Sequence, residues 1–167
     1  MHPWTKSAKA QTPAPGVKLY ILDLGQLKSA NPQPLLDRGV TVTDMSVVAY
    51  LIVHPRGTLL WDSGTVPDEL VKPEGTTIAR ATVKKTLTGQ LAEIGYKPAD
   101  ITCLALSHYH YDHSANANAF AGSTWLVQRP ERAAMFPDAA GQSDRSGRCR
   151  QVRGAQGQQD HAARRRS

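Results

Sequence analysis

Residues 101–113, with the sequence ITCLALSHYHYDH, join a short apolar run to a cluster of three histidines and one aspartate. The apolar part, residues 101–106, predicts a short buried strand. Half of the chain's six histidines lie in the seven residues after it, which is too dense for each to be an isolated surface or core residue. The side chains at this predicted strand end are therefore candidate functional residues: His108, His110, Asp112 and His113.

The chemistry of this cluster predicts a metal site. His108 and His110 are expected to point the same way, because side chains alternate along an extended chain. Asp112 and His113 follow where the chain can turn back over the same cavity. Imidazole and carboxylate groups are good zinc ligands, and two pairs suit two neighbouring metal ions. A chance cluster is the alternative, but ligands usually bind at the carboxyl ends of strands in such sheets.

The flanking sequence predicts a mixed α/β (α+β) layered fold. Apolar runs predict strands at four further places: residues 17–24, 46–53, 58–61 and 123–127. Residues 46–53 are apolar on both strand faces, which predicts a strand covered on both sides. The HPRG turn at residues 54–57 predicts a hairpin. Residues 76–94 predict a helix, since their apolar side chains recur at helical spacing, and a short helix is expected from Pro130.

Length and composition limit the fold. The chain has 167 residues, 40% of them hydrophobic, which is enough for one domain with a core. Its longest apolar run, residues 47–53, is too short to span a membrane, so no membrane association is expected. The two cysteines cannot form a disulfide framework.

Both ends of the chain differ from the middle. Residues 1–16 are polar and contain prolines, which predicts a flexible arm and favours a cytoplasmic chain over an exported one whose signal is missing. Residues 141–167 predict a disordered, arginine-rich tail, since residues 142–167 hold seven arginines, two aspartates and one large aliphatic side chain. This leaves 13 of the 20 basic and 12 of the 14 acidic side chains for a nearly neutral body, so no nucleic-acid partner is expected.

The pattern His108-x-His110-x-Asp112-His113 resembles the metal-binding motif of the metallo-β-lactamase superfamily. Residues 60–64 (LWDSG) resemble the strand-end Asp-Thr-Gly motif of that superfamily. Similarity to the N-acyl homoserine lactonase branch extends over further stretches: residues 19–24, 44–53, 94–101, 107–120 and 127–129. The resemblance covers residues 17–140. It implies a partial domain, the amino-terminal half of an αββα sandwich in which two similar sheets pack face to face.

The resemblance also implies roles for the site residues. His108 and His110 are expected to bind a first zinc ion. Asp112 and His113 are expected to bind a second, and Asp62 to orient a ligand or the bridging hydroxide. Asp112 and Asp62 are the catalytic candidates, although Asp62 can also be read as a simple turn-former. The implied reaction is hydrolysis of a small-molecule N-acyl homoserine lactone, in which metal-bound hydroxide opens the lactone ring. Its implied biological effect is quorum quenching.

The family requires more residues than this chain supplies after His113: two further histidines, a bridging aspartate and a tyrosine near the substrate. The one later histidine, His161, lies in a polar context, and no tyrosine follows Tyr111. We therefore expect a truncated chain with weak zinc binding and impaired activity. In one hypothesis the chain beyond about residue 140 is out-of-frame translation, since a shifted reading of GC-rich codons for residues 151–166 encodes ordinary globular sequence.

Three alternative functions stay open at this point. They are thioester hydrolysis of the glyoxalase II kind, nucleic-acid cleavage by a nuclease that shares the His-x-His-x-Asp-His motif, and a non-catalytic fragment. If half of the sandwich is absent, one apolar sheet face is predicted to be uncovered and to cause aggregation.

Overall fold

The computed structural model describes residues 16–137. The predicted tail at residues 141–167 lies outside the described residues, and so does the predicted arm except for Gly16. Within the described part of the chain, no helix has the length and apolar character needed to cross a membrane.

Short helices alternate with the strands of one sheet. The strands are β1 (Lys18–Lys28), β2 (Asp44–His54), β3 (Gly57–Trp61), β4 (Thr76–Ile78), β5 (Ala81–Val83), β6 (Cys103–Ala105) and β7 (Thr124–Leu126). The α-helices are α1 (Gln33–Leu36), α2 (Leu87–Glu93), α3 (Tyr111–Ser114) and α4 (Arg129–Met135). Single turns of 3-10 helix occupy Asp68–Leu70, Pro98–Asp100 and Ala117–Phe120. The five predicted strands are confirmed as β1, β2, β3, β6 and β7.

The seven strands are ordered β4-β5-β1-β2-β3-β6-β7. β2 and β3 form the predicted hairpin, in which His54 pairs with Gly57 across a two-residue turn. β3, β6 and β7 run parallel, with Trp61 opposite Ala105. The segments that follow β3 and β6 therefore leave the sheet side by side at its carboxyl edge, which is where ligands bind in α/β sheets.

The helix predicted over residues 76–94 is wrong in its first half. β4 and β5 form an antiparallel pair there, and only Leu87–Glu93 is helical. Residues 76–83 include three threonines, one isoleucine and one valine, whose branched side chains favour strands, and β5 also pairs with β1. The helix begins after Thr86, whose side chain accepts a hydrogen bond from the backbone N–H of Gly89.

The core lies on one face of the sheet, which we call the inner face. Its side chains come from the central strands, from α2 and from the 3-10 turn before β7. Fully or almost fully buried members are Leu22, Leu24, Ala49, Leu51, Leu60, Leu87, Leu91, Leu104 and Phe120. Tight burial on this side holds β3 and β6 in place under the candidate site.

The opposite face of the sheet, which we call the outer face, is apolar but poorly covered. Cross-strand pairs join its side chains: Leu19 with Ile52, Ile21 with Tyr50, Tyr50 with Trp61, and Ile52 with Leu59. Leu19 is 58% exposed, Ile21 65% and Trp61 44%. On β2 itself the outer-face side chains Val48, Tyr50 and Ile52 are half-buried, so the predicted cover on both sides of residues 46–53 is close to complete on the inner face and only partial on the outer face. The predicted uncovered apolar face is present.

Replacing Gly25 by alanine is expected to destabilise the fold by more than about 3 kcal/mol. Gly25 lies in the β-bulge between Asp23 and Gln26 with a φ of 96°. An added Cβ would lie 2.0 Å from the backbone oxygen of Thr82, so β5 would have to move away from β1. Urea unfolding of both proteins measures the difference.

Gly39→Ala is the matched control for Gly25→Ala. Gly39 also has a positive φ, 79°, but an added Cβ there meets nothing within 4 Å. The free energy of unfolding of Gly39→Ala should fall only by the cost of the backbone strain, about 1–2 kcal/mol. Equal losses for the two variants would show that the contact with β5 does not matter.

Candidate metal centre

The candidate cluster lies where β3 and β6 end next to each other. The backbone N–H of Asp62, just after β3, donates to the carbonyl of Ala105 at the end of β6 over 2.8 Å. The next residue, Ser63, donates from its backbone N–H (2.7 Å) and its hydroxyl (3.1 Å) to the carbonyl of His113. These hydrogen bonds join the loops after the two strands and fix His113 relative to Asp62.

The helix α3 is a single turn that carries Asp112 and His113. The hydroxyl of Ser114, which is buried, donates to the carbonyls of the two residues that precede the helix, over 3.2 and 3.0 Å. The backbone N–H of Ala115 donates to the carbonyl of Gly64. The chain thus turns back toward the strand end after the histidines, as predicted.

Three of the four predicted ligands come together. Among the described residues, His108, Asp112 and His113 form a group in which one candidate ligand atom from each lies within 4.8 Å of the others. The imidazole rings of His108 and His113 are 4.0 Å apart between centroids. The Nε2 atom of His113 is 3.3 Å from Oδ2 of Asp112. All three side chains are half-buried.

His110 lies beside this group but is not a member of it. Its ring centroid is 4.7 Å from that of His108, and its side chain is exposed. The prediction from strand alternation does not apply, because β6 ends at Ala105 and His110 directly precedes α3. Its predicted pairing with His108 on a first metal ion therefore rests on the closeness of the two rings and stays a prediction.

Asp62 is buried beneath the cluster and is 6% exposed. Its Oδ2 atom is 2.8 Å from Nδ1 of His113, and its two oxygens accept from the backbone N–H (2.8 Å) and the hydroxyl (2.9 Å) of Ser107. His113 therefore lies between two carboxylates, Asp62 on one ring nitrogen and Asp112 on the other. Asp62 also has a left-handed φ of 61°, which is uncommon outside glycine.

Two residues of the site were not found from the sequence. The hydroxyl oxygen of Ser107 lies 3.1 Å from Nδ1 of both His108 and His113. Its place directly before the histidines was the available signal. Glu131, at the start of α4, accepts a hydrogen bond from the backbone N–H of Tyr109 over 2.9 Å. Glu131 follows β7 closely, but it is a lone acidic residue in a helix, and nothing in the local sequence indicates a contact with Tyr109, which lies 22 residues earlier.

A cavity of about 240 Å³ lies beside the cluster. Its polar wall is formed by Asp62, Asp112 and His113. The rest of its lining comes from β1 and β2: Leu27, Met45, Ser46, Val47, Val48 and Tyr50. Two of the candidate metal ligands, Asp112 and His113, therefore face a small space whose other walls are largely apolar.

A sequence profile described as the metallo-beta-lactamase superfamily matches residues 42–161, which is more than two thirds of the chain. The chain belongs to the metallo-beta-lactamase superfamily. The match begins just before β2, includes the whole candidate cluster, and continues into the residues that the sequence predicts to be a disordered tail. The fold is a mixed α/β arrangement that corresponds to an amino-terminal part of the metallo-beta-lactamase fold, as predicted.

Curated relatives of this superfamily member are N-acyl homoserine lactonases. The chain is 29% identical over 131 residues to the lactonase AttM of Rhizobium johnstonii, covering 73% of this chain and 50% of that protein. It is 29% identical over 125 residues to an N-acyl homoserine lactonase of a Bacillus species, covering 68% of this chain and 49% of that one. The chain thus spans about half the length of the curated relatives it matches.

A solved structure agrees with this similarity. It is an N-acyl homoserine lactone hydrolase with the product N-hexanoyl-L-homoserine bound at its catalytic metal centre. The TM-score is 0.52 at 26% sequence identity, and the alignment covers 71% of this chain and 51% of that chain.

The residues of the cluster fit a divalent metal ion. Two imidazoles and one carboxylate lie close enough together to share one ion, and these are preferred ligands of zinc. In addition, Nδ1 of His113 is held by a buried carboxylate, which is the arrangement that usually orients a metal-binding histidine. The donor set and superfamily membership together support metal binding by this chain.

Proposed function

We propose that this protein is a zinc-dependent hydrolase that opens the lactone ring of N-acyl homoserine lactones. The observation that carries the proposal is the group of His108, Asp112 and His113, of which Asp112 and His113 line an otherwise largely apolar cavity. The similarity of most of the chain to N-acyl homoserine lactonases supports the choice of substrate class.

His108, Asp112 and His113 are the proposed ligands, with His110 as a further ligand on the exposed side. A zinc ion held there would polarise a carbonyl and activate a water molecule. Asp62 holds the ring of His113 in place from below and so orients the metal-facing nitrogen. Asp112 presents a carboxylate oxygen 3.3 Å from that nitrogen, so the two groups could bind the same ion, and both line the cavity that would hold the substrate.

The cavity matches an amphipathic substrate. A lactone ring placed against Asp112 and His113 would leave its acyl chain along the side chains of Met45, Val48 and Tyr50. Burial of apolar surface contributes about 25 cal/mol per Å², so this wall favours an acyl chain over a polar substituent. Among the described residues, the same wall offers no cationic side chain for the phosphates of a nucleic acid.

Zinc content and hydrolysis of N-hexanoyl homoserine lactone, measured on the same preparation, test the proposal. We expect weak zinc binding and slow ring opening of the lactone. The ring opening should be lost in Asp112→Ala. A thioester and single-stranded DNA serve as alternative substrates. Hydrolysis of either in preference to the lactone would contradict the proposed substrate class. Zinc binding without hydrolysis of any substrate would leave the chain a non-catalytic metal-binding protein.

A further inference from the structure

We propose that Ser107 is a positioning residue that sets which nitrogen of His108 is free to bind a metal ion. The proposal concerns the tautomer of an imidazole, a property of the metal-free chain. It goes beyond the proposed function and does not depend on the substrate. It rests on the hydrogen bonds among Ser107, Asp62, His108 and His113.

The direction of these hydrogen bonds follows from the chemistry of the partners. A carboxylate only accepts hydrogen bonds, so the Ser107 hydroxyl, 2.9 Å from Oδ2 of Asp62, must donate its proton to it. A hydroxyl has one proton and two lone pairs. Once that proton is used, the Ser107 oxygen can only accept from any other neighbour.

His108 is therefore the donor in its contact with Ser107. Its Nδ1 atom lies 3.1 Å from the hydroxyl oxygen, which can no longer donate, so Nδ1 carries the ring proton. In a neutral imidazole the other nitrogen then has a free lone pair. Nε2 of His108 is thus the nitrogen available to a metal ion.

The ring proton of His113 is also on Nδ1, but a different partner holds it there. Its Nδ1 atom is 2.8 Å from Oδ2 of Asp62 and 3.1 Å from the Ser107 oxygen, so it keeps a strong acceptor even without the hydroxyl. The structure therefore separates the two histidines. Without the Ser107 hydroxyl, His108 should carry its ring proton on either nitrogen. The tautomer of His113 should stay unchanged.

Ser107→Ala should keep the local backbone in place. The backbone N–H of Ser107 donates to Oδ1 of Asp62 over 2.8 Å, and this hydrogen bond does not involve the side chain. Ser107→Thr keeps a hydroxyl and should restore the original tautomer. The matched control is Ser123→Ala, since Ser123 is also a buried serine whose hydroxyl donates to a backbone carbonyl, that of Ile101, but it directly precedes β7, at the opposite edge of the sheet from the cluster.

Long-range proton–nitrogen NMR of the metal-free full chain with ¹⁵N-labelled histidine reads the tautomers directly. In the wild-type protein we expect Nδ1–H on both His108 and His113. In Ser107→Ala we expect a mixture of tautomers at His108 alone, and titration with zinc ions should show an affinity lowered by about tenfold. Ser107→Thr and Ser123→Ala should both resemble the wild type.

A wild-type His108 with its proton on Nε2 would overturn the proposal without any variant. So would an unchanged His108 tautomer in Ser107→Ala, or a loss of zinc affinity in Ser107→Ala no greater than that in Ser123→Ala. Because the tautomers are read without zinc or lactone, a failure of the proposed lactonase activity leaves this test intact.

Discussion

His113→Ala is expected to lower zinc affinity by more than about 100-fold, the largest functional effect of any single substitution in the chain. Substitution of a group that only orients a metal ligand already lowers metal affinity by about 10- to 100-fold, and substitution of a direct ligand should lower it further. His113 also connects the two carboxylates of the site, with Nδ1 on Asp62 and Nε2 beside Asp112. Its removal leaves the buried Asp62 carboxylate without its imidazole partner.

Competition with a coloured chelator measures this effect. His54→Ala is the control, because His54 is exposed in the β2–β3 turn, where its ring accepts a hydrogen bond from the backbone N–H of Arg56. It should bind zinc as the wild type does. If His113→Ala and His54→Ala bind zinc equally well, the cluster is not the metal site.

The location of the site could be predicted from the sequence because its candidate ligands lie close together along the chain. His108, Asp112 and His113 follow a strand within eight residues of Ala105, so local chain reversal is enough to bring them together. Ser107 and Glu131 act through hydrogen bonds whose partners lie 45 and 22 residues away along the chain. Such contacts depend on the tertiary fold, so the position of Ser107 directly before the histidines suggests its contacts with His108 and His113 but not the one with Asp62.

The same distinction explains the error in the fold. The hairpin of β2 and β3 follows from a local turn and was predicted correctly. Residues 76–83 become strands because β5 pairs with β1, more than 50 residues earlier in the chain. Apolar spacing over so short a stretch suits a helix and a strand equally, so the tertiary pairing decided the outcome.

The outer face of the sheet connects the fold to the behaviour of the protein in solution. Monomeric proteins rarely expose a contiguous apolar surface of more than a few hundred Å² unless it is an interaction site. Leu19 and Ile21 on β1 and Trp61 on β3 are exposed on either side of β2, and the chain spans only about half the length of its curated relatives. The described residues carry equal numbers of acidic and basic side chains, so charge repulsion does little to keep copies apart.

We therefore expect the wild-type protein to self-associate, and Ile21→Lys to raise its solubility by about tenfold or more, since burying one such side chain is worth roughly 1.5–3 kcal/mol. Ile21 is the most exposed of the outer-face side chains and pairs with Tyr50 at the centre of the patch, so a charge there disrupts the apolar surface on both sides. Leu70→Lys is the control, because Leu70 is 48% exposed but lies outside the sheet. Static light scattering over a concentration series compares the concentrations at which the three proteins begin to associate. A wild-type protein that stays monomeric throughout, or an equal gain from Leu70→Lys, would show that the outer face does not drive association.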